Sequence, residues 1–219
     1  MNIQNRDFFL DFQDFIVTYK NYIMGVLGFA AIGFGGFIYW YQGQAIRNQN
    51  ALQALSEVLS EHKHAYENAD LWQDVEVGAK TGYRQYSSAS IAPFFLGLQA
   101  DALLEQDKKE EAYAVMKTML EKLSSHSPLY PLYSIKYARM LLADDNEAVQ
   151  KDGLALLQKY ADQEGANQDQ ARYYLGLYYF GKGQKKEAES LWQPLIEQGS
   201  KDNKEDRSVW SGLAEQHLK

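Results

Sequence analysis

The stretch YYLGLYYFGKGQKKEAESLW, residues 173–192, has the apolar spacing of two short helices joined by a turn that contains glycine. Leu175 and Gly176 stand on one face of the first predicted helix, and Ala188 and Trp192 on one face of the second. Two glycines between them are typical of a helix end followed by a tight turn. The stretch therefore predicts a helical hairpin.

One register recurs every 38 residues along the rest of the chain. Equally spaced small residues mark the first helix of each unit: Ala100, Ala138, Gly176 and Ala214. A small residue at a fixed point of each helix allows close packing, because a larger side chain would push the neighbouring backbone away. Pro93 and Pro131 are also 38 residues apart, at predicted helix starts, where proline is tolerated.

A second amphipathic helix follows each of the first three small-residue helices. The predicted second helices are Lys108–Leu123, Ala148–Tyr160 and Gln184–Gln198. Pro194 lies inside the last of these, where the missing backbone donor predicts a kink or a shorter helix. Neither helix of a hairpin can bury its apolar stripe alone, so the units are expected to stack.

The third unit resembles the tetratricopeptide repeat. Its L-G pair, tyrosine, glycine, alanine and aromatic residue stand at the spacings of that motif, whereas the other units fit more loosely: Leu175, Gly176, Tyr179, Gly183, Ala188 and Trp192. The resemblance implies an all-α, tetratricopeptide-like helical-repeat solenoid, and no convincing strand pattern opposes it.

A charge-free run of 26 residues from Asn21 to Ile46 precedes the repeats. Its apolar part, Tyr22–Tyr41, would cover about 30 Å as a helix, which is the thickness of a hydrocarbon core. This predicts one transmembrane helix. A buried core helix and a cleaved signal peptide ending near Gly43-Gln44-Ala45 are the alternatives, and the count of flanking basic residues only leans toward a cytoplasmic N-terminus.

The predicted anchor has a face of small residues that suits contact with another membrane helix: Gly25, Gly28, Ala31 and Gly35. The alternative is that glycine is simply common in such spans. Four regions follow from these patterns. They are a short cytoplasmic tail with an amphipathic helix over 1–20, the transmembrane helix over 21–42, leading helices over 43–90, and repeats with a C-terminal capping helix over 91–219.

Composition excludes several functions. The net charge is −7 and no basic cluster appears, which argues against nucleic-acid binding, and the absence of cysteine excludes disulfides and thiolate chemistry. His62 and His64 point about 200° apart on a helix, so both are predicted to be solvated and not to share a metal. Asp144 to Glu147 is interpreted as a solvated turn. No catalytic or nucleotide-binding motif occurs, so the sequence predicts no enzyme, no cofactor, no metal and no small-molecule substrate.

A protein-binding surface is predicted on the exposed faces of the first helices, which in such a solenoid line a concave groove. The candidate partner-binding residues are Phe94, Leu104, Leu132, Ile135, Arg139, Leu142, Tyr173, Leu177 and Phe180. The alternative for each of them is that it packs between helices.

With its short acidic tail, one predicted anchor and a helical-repeat domain, nearly the whole chain resembles in architecture the bacterial YfgM family, the tetratricopeptide-like ancillary subunit of the SecYEG translocon. The segments that carry this resemblance are the anchor, the repeat quoted above, and GYRQYSSASIAPFFLGLQADALL. It implies an inner-membrane protein with periplasmic repeats, associated with translocon subunits, a membrane-anchored chaperone and client chains. The leading hypothesis is therefore a membrane-anchored adaptor. A scaffold for envelope assembly or cell division is the alternative, and an unrecognised enzyme is a third.

Overall fold

The computed structural model describes residues 41–165, 167–201 and 208–218, without the side chains of 199–201. Two compact units divide the chain, Met1–Leu52 and Gln53–Lys219. Every regular element in the described residues is helical, which confirms the predicted all-helical fold for this part of the chain.

The first unit is described only from 41 to 52, and these residues are helical. Among the described residues, none of the helices combines the length and the apolarity that a membrane crossing requires. The predicted tail over 1–20 lies outside the described residues, and so does the predicted anchor except for Tyr41 and Gln42. Its small-residue face, Gly25, Gly28, Ala31 and Gly35, lies outside them as well.

Helical hairpins build the second unit. The elements of this unit, in chain order, are α1 (53–65), a 3₁₀ turn (Ala69–Leu71), α2 (Trp72–Gln85), α3 (Ala92–Glu105), α4 (Lys109–Lys122), α5 (Leu129–Leu142), α6 (Glu147–Asp162), α7 (Gln168–Gly181), α8 (Lys185–Lys201) and α9 (Val209–Leu218). Helices α3 and α4, α5 and α6, and α7 and α8 pack as pairs, and each second helix also packs on the next first helix. Helix α9 covers the last pair.

The predicted second helices are confirmed as α4, α6 and α8, with ends that differ by at most three residues. Of the two effects predicted for Pro194, a shorter helix is wrong, since α8 continues for seven residues beyond it, and a kink stays a prediction. An exposed proline can remain inside a helix because solvent replaces the hydrogen bond that its ring removes.

The small-residue register is confirmed by burial. Ala100, Ala138 and Ala214 have no exposed surface, and Gly176 is also buried. Each lies where two hairpins or the two helices of a hairpin meet, so the 38-residue period records the stacking of the units.

The same period appears in two turns. Asp107, between α3 and α4, has φ 60°, and Gly183, which lies two periods later between α7 and α8, has φ 76°. In both turns the next residue donates its N–H to a carbonyl five residues back, from Lys108 to Leu103 and from Gln184 to Tyr179, each at 2.9 Å. This is a Schellman motif, in which a residue with a left-handed backbone conformation ends the helix.

A binding groove on the first helices

Three first helices, α1, α3 and α5, enclose a cavity of about 230 Å³, here called the first-helix groove. Its lining is apolar along most of its length and charged at one end. The lining residues are Leu55, Leu59, Phe94, Gly97, Leu98, Asp101, Tyr133 and Lys136.

The apolar part of the groove leaves large side chains in contact with water. Leu59 is 53% exposed, and Phe94 and Tyr133 are half-buried, with ring centroids 5.9 Å apart. Gly97 lies at the base of the groove, where a Cβ would be 3.2 Å from Met119 Sδ and in ordinary contact, at 3.5 Å, with Tyr133 Cε1. Apolar side chains that remain exposed in a concave lining favour contact with a second molecule.

The charged end of the groove is a carboxylate shared by three helices. Asp101 of α3 lies 2.6 Å and 2.7 Å, through its two oxygens, from Lys136 Nζ of α5. His62 Nε2 of α1 lies 3.4 Å from Asp101 Oδ2. The Asp101 side chain is 17% exposed, so its ion pair with Lys136 offsets much of the cost of withdrawing a carboxylate from water.

The prediction that His62 is solvated is wrong. Its side chain is 13% exposed, and its ring meets Tyr66 and Trp72 edge-on, at centroid distances of 5.3 Å and 5.2 Å. The Nε2 atom is buried and has no hydrogen-bond partner within the described part of the chain, since its approach to Asp101 meets the distance of an ion pair but not the geometry of a hydrogen bond. His64 is exposed, as predicted.

The carboxylate also affects two tyrosines. Burial raises the pKa of the Tyr133 hydroxyl, and the charge of Asp101 raises it further. Burial likewise raises the pKa of Tyr66, with smaller contributions from Asp101 and Glu105. Both phenols therefore remain neutral at physiological pH, and Tyr133, which lines the groove, can act as a hydrogen-bond donor there.

Aromatic side chains continue the first-helix surface over α5, α7 and α9. The Arg139 guanidinium lies 4.0 Å above the Tyr174 ring, and Tyr174 meets Trp210 edge-on at 5.3 Å. Phe180, which is 37% exposed, lies 5.7 Å from both the Trp192 and the His217 rings. Rigid rings and a stacked guanidinium are typical of protein-binding surfaces.

The nine predicted partner-binding residues divide into three groups. Leu132, Arg139 and Phe180 are exposed, and Phe94, Leu104, Leu142 and Leu177 are half-buried. Ile135 has no exposed surface and Tyr173 is 7% exposed, so these two side chains belong to the core and do not line a surface. Of the nine, only Phe94 lies in the first-helix groove.

The sequence reasoning missed most of the groove. Leu55 and Leu59 lie in the leading helices over 43–90, for which the sequence predicts no binding surface, and Asp101, Tyr133 and Lys136 are not among the nine candidate residues. Asp101 and Lys136 are charged residues inside largely apolar first helices, and they are 35 residues apart. This separation is three short of the 38-residue period, so the repeat does not pair them.

The acidic turn between α5 and α6 has a structural role in the fold. Asp144 accepts hydrogen bonds from the Asn146 backbone N–H and the Tyr113 hydroxyl, both at 2.8 Å, and these lower the pKa of its carboxyl in that order of size. Asn146 in turn caps α6 by accepting from the Ala148 N–H at 2.9 Å. Within the described residues, no three histidine or carboxylate side chains are arranged to hold a metal ion.

Similarity to a solved structure supports the repeat fold. The chain is similar to the crystal structure of a Podosopora anserina protein described as a candidate kinesin light chain with nearly identical TPR-like repeats. The TM-score is 0.55 at 17% sequence identity, over 75% of this chain and 84% of that one. No protein-family model and no curated protein matches the sequence. The chain therefore has a tetratricopeptide-like helical-repeat fold.

Proposed function

We propose that this protein is a non-enzymatic adaptor that binds a protein partner through its first-helix groove. The observation that carries the proposal is the groove itself, in which Leu59 is half exposed beside the Phe94 and Tyr133 rings. An apolar cleft with a fixed polar group at one end suits an extended or helical segment of another chain. The ion pair of Asp101 and Lys136 favours a partner that brings a polar group to that end.

The adaptor is further proposed to be anchored in the bacterial inner membrane, with its N-terminus in the cytoplasm and its repeats in the periplasm. The 26-residue charge-free run and the sequence resemblance to the YfgM family support this. In that setting the groove would receive client chains or a membrane-anchored chaperone beside the SecYEG translocon. A scaffold for envelope assembly or cell division, with the same fold, is the second candidate.

Site-specific photocrosslinking in intact cells tests the groove. A photoreactive phenylalanine analogue replaces Leu59 in the groove or, as a control, Val77 of α2, which is 56% exposed and lies outside it. Position 59 should give products with translocon subunits, a periplasmic chaperone or nascent envelope proteins, and position 77 should not. Equal products from both positions, or none from position 59, would reject the groove as the docking site.

Two further measurements separate the candidates. Affinity purification of the full chain in mild detergent distinguishes a translocon adaptor from a scaffold by the identity of the recovered subunits. A reporter that is active only outside the cytoplasm, fused after Lys219, tests the orientation. A cytoplasmic result would reject the proposed periplasmic function.

A further inference from the structure

A second apolar cleft lies between α4 and α6, with α5 as its floor. Its volume is about 600 Å³, and we call it the second-helix cleft. The residues that line it are Tyr113, Lys117, Tyr137, Leu141, Val149, Asp152, Ala155, Leu156 and Lys159. It shares none of its residues with the first-helix groove.

The cleft opens at the least extensive joint between consecutive hairpins. Helices α4 and α5 approach each other along less of their length than α2 and α3 or α6 and α7, and α4 and α6 have no extensive contact. The Tyr113 hydroxyl, which belongs to the lining, donates its hydrogen bond to Asp144 at 2.8 Å, with the Met140 carbonyl as a second, more distant acceptor at 3.3 Å. The cleft therefore lies where α4 and α5 separate, beside the hydrogen bond between Tyr113 and Asp144.

Helical backbone surrounds the cleft on all three sides, and its lining contains no asparagine or glutamine side chain. Backbone N–H and C=O groups inside helices are already paired. An extended peptide would bury its own backbone groups there without partners, at a cost for each of them. A helix satisfies those groups internally, so the cleft suits a helix that presents an apolar face.

The length and the charges of the cleft define that helix further. The α6 residues that line it run from Val149 to Lys159, which is about 15 Å or three helical turns. Lys117 on α4 and Lys159 on α6 are exposed on opposite edges, and neither has a carboxylate within ion-pair distance in the described ranges of the chain. Asp152 is the acid on the rim, so the edge charge is positive in a chain whose net charge is −7.

We infer that the second-helix cleft binds an amphipathic helix of a partner protein, with an apolar face against Tyr113, Tyr137 and Leu156 and acidic residues beside Lys117 and Lys159. This goes beyond the proposed function, because it assigns a separate surface that can be occupied while the first-helix groove holds another chain.

Designed peptides test the inference on the full chain in nanodiscs of zwitterionic lipid, with empty nanodiscs subtracted. Two fluorescent 18-residue helical peptides have the same leucine face and either glutamate or lysine flanks, and a third has the glutamate flanks with two central prolines. Anisotropy should show tighter binding of the glutamate peptide than of the other two. Equal affinity of the glutamate and lysine peptides, or binding of none, would overturn the inference.

Matched tryptophan variants locate the binding. Ala155→Trp fills the cleft from an exposed position on α6, and Ala114→Trp adds the same ring to an exposed position on α4 outside it. Ala155→Trp should weaken the binding of the glutamate peptide at least tenfold, and Ala114→Trp should leave that affinity unchanged. An equal effect of both variants would overturn the inference.

Charge variants should change the affinities of the glutamate and lysine peptides in opposite directions, which a purely apolar contact would not do. Lys117→Glu combined with Lys159→Glu should reverse the preference between the two peptides. Asp152→Asn should tighten the binding of the glutamate peptide. Concentration-dependent dimers that Ala155→Trp abolishes would instead assign the cleft to a second copy of this chain. Crosslinking from Leu59 is independent of these variants, so failure here leaves the proposed groove function separately testable.

Discussion

The Trp192 indole lies directly against Gly176, so closely that a Cβ on Gly176 would be 2.3 Å from Trp192 Nε1. The same nitrogen donates a hydrogen bond to the Tyr173 carbonyl at 3.1 Å. The second helix of this hairpin is thus fixed to the first by one buried side chain, both by packing and by a hydrogen bond. This contact is the physical reason for the L-G pair in the stretch from 173 to 192.

Gly176→Ala should destabilise the protein. The indole has to move because the clash is with a rigid, fully buried ring, and overpacking of this kind costs about 1 to 3 kcal/mol of the free energy of unfolding. Gly181→Ala, in the same helix with open space around it, is the control and should be neutral or slightly stabilising. Chemical denaturation measures both. Equal effects of the two variants would show that Trp192 adjusts without strain.

Hairpins, helix ends and the packing register could all be predicted from the sequence, because helical periodicity and a repeat period are local signals. The face on which Ala138 and Gly176 lie follows from spacing alone. The side chains that pack against that face cannot be predicted from spacing. Ile135 and Tyr173 were predicted on an exposed surface, but Ile135 packs with residues of α6 and α7, and Tyr173 with Trp192 and Ala214.

The groove was harder to predict because its members are distant in the chain. His62, Asp101 and Lys136 come from three helices and are separated by 39 and 35 residues. No spacing rule links a histidine on a leading helix to a carboxylate in the next hairpin. Leu59 reads as a core residue by periodicity, and it is exposed only because no further helix covers that side of α1 in the described residues.

The left-handed turn residues predict opposite effects for two reciprocal substitutions. Asp107→Gly should stabilise the protein by about 0.5 kcal/mol, because glycine adopts a positive φ without steric cost but also loses more entropy on folding. Gly183→Asp should destabilise it by about 0.5 to 1 kcal/mol for the same reason. Thermal unfolding of both variants tests this. Shifts of the same sign would contradict the common turn geometry.

Because Asp101 and Lys136 form an ion pair in the groove, the effects of substituting them on the free energy of unfolding should not be additive. Lys136→Met leaves the Asp101 carboxylate, which is 17% exposed, without its cation and should cost about 1 to 2 kcal/mol. Adding Asp101→Asn to that variant should recover about 0.5 to 1 kcal/mol, since the Lys136 side chain is 34% exposed and water screens the pair. Denaturant unfolding of the wild type, both single variants and the double variant gives the coupling. Strictly additive effects would mean that the pair contributes nothing.

Glu76 predicts an acid-dependent loss of stability. Burial alone would raise its pKa, but hydrogen bonds from Lys108 at 2.8 Å and Gln106 at 3.0 Å outweigh this and hold the pKa below its ordinary value of 4.5. Because the folded pKa is lowered, the stabilisation is fully present above the ordinary value and is lost as pH falls through the folded pKa.

The destabilisation caused by Glu76→Gln should therefore shrink between pH 7 and about pH 3. Glu111→Gln, which removes an exposed carboxylate on α4, is the control for the loss of one negative charge. Urea unfolding at several pH values measures the difference between each variant and the wild type. A constant difference for Glu76→Gln would mean that its hydrogen bonds do not favour the ionised form.

Pro194 predicts that α8 can be improved by a single exposed substitution. Proline cannot donate to the Ser190 carbonyl four residues back, and its ring crowds the preceding turn, yet the helix continues to Lys201. Pro194→Ala restores the donor without removing buried contacts, because Pro194 is exposed. The free energy of unfolding should rise by about 1 to 3 kcal/mol. The upper value is the full difference between proline and alanine inside a helix, and local bending that already relieves strain would lower it. Gln193→Ala, at the exposed neighbouring position, is the control and should change stability by only a few tenths of that amount. A variant that is no more stable than the wild type would mean that the helix is bent at Pro194 and that its neighbours pack around the bend.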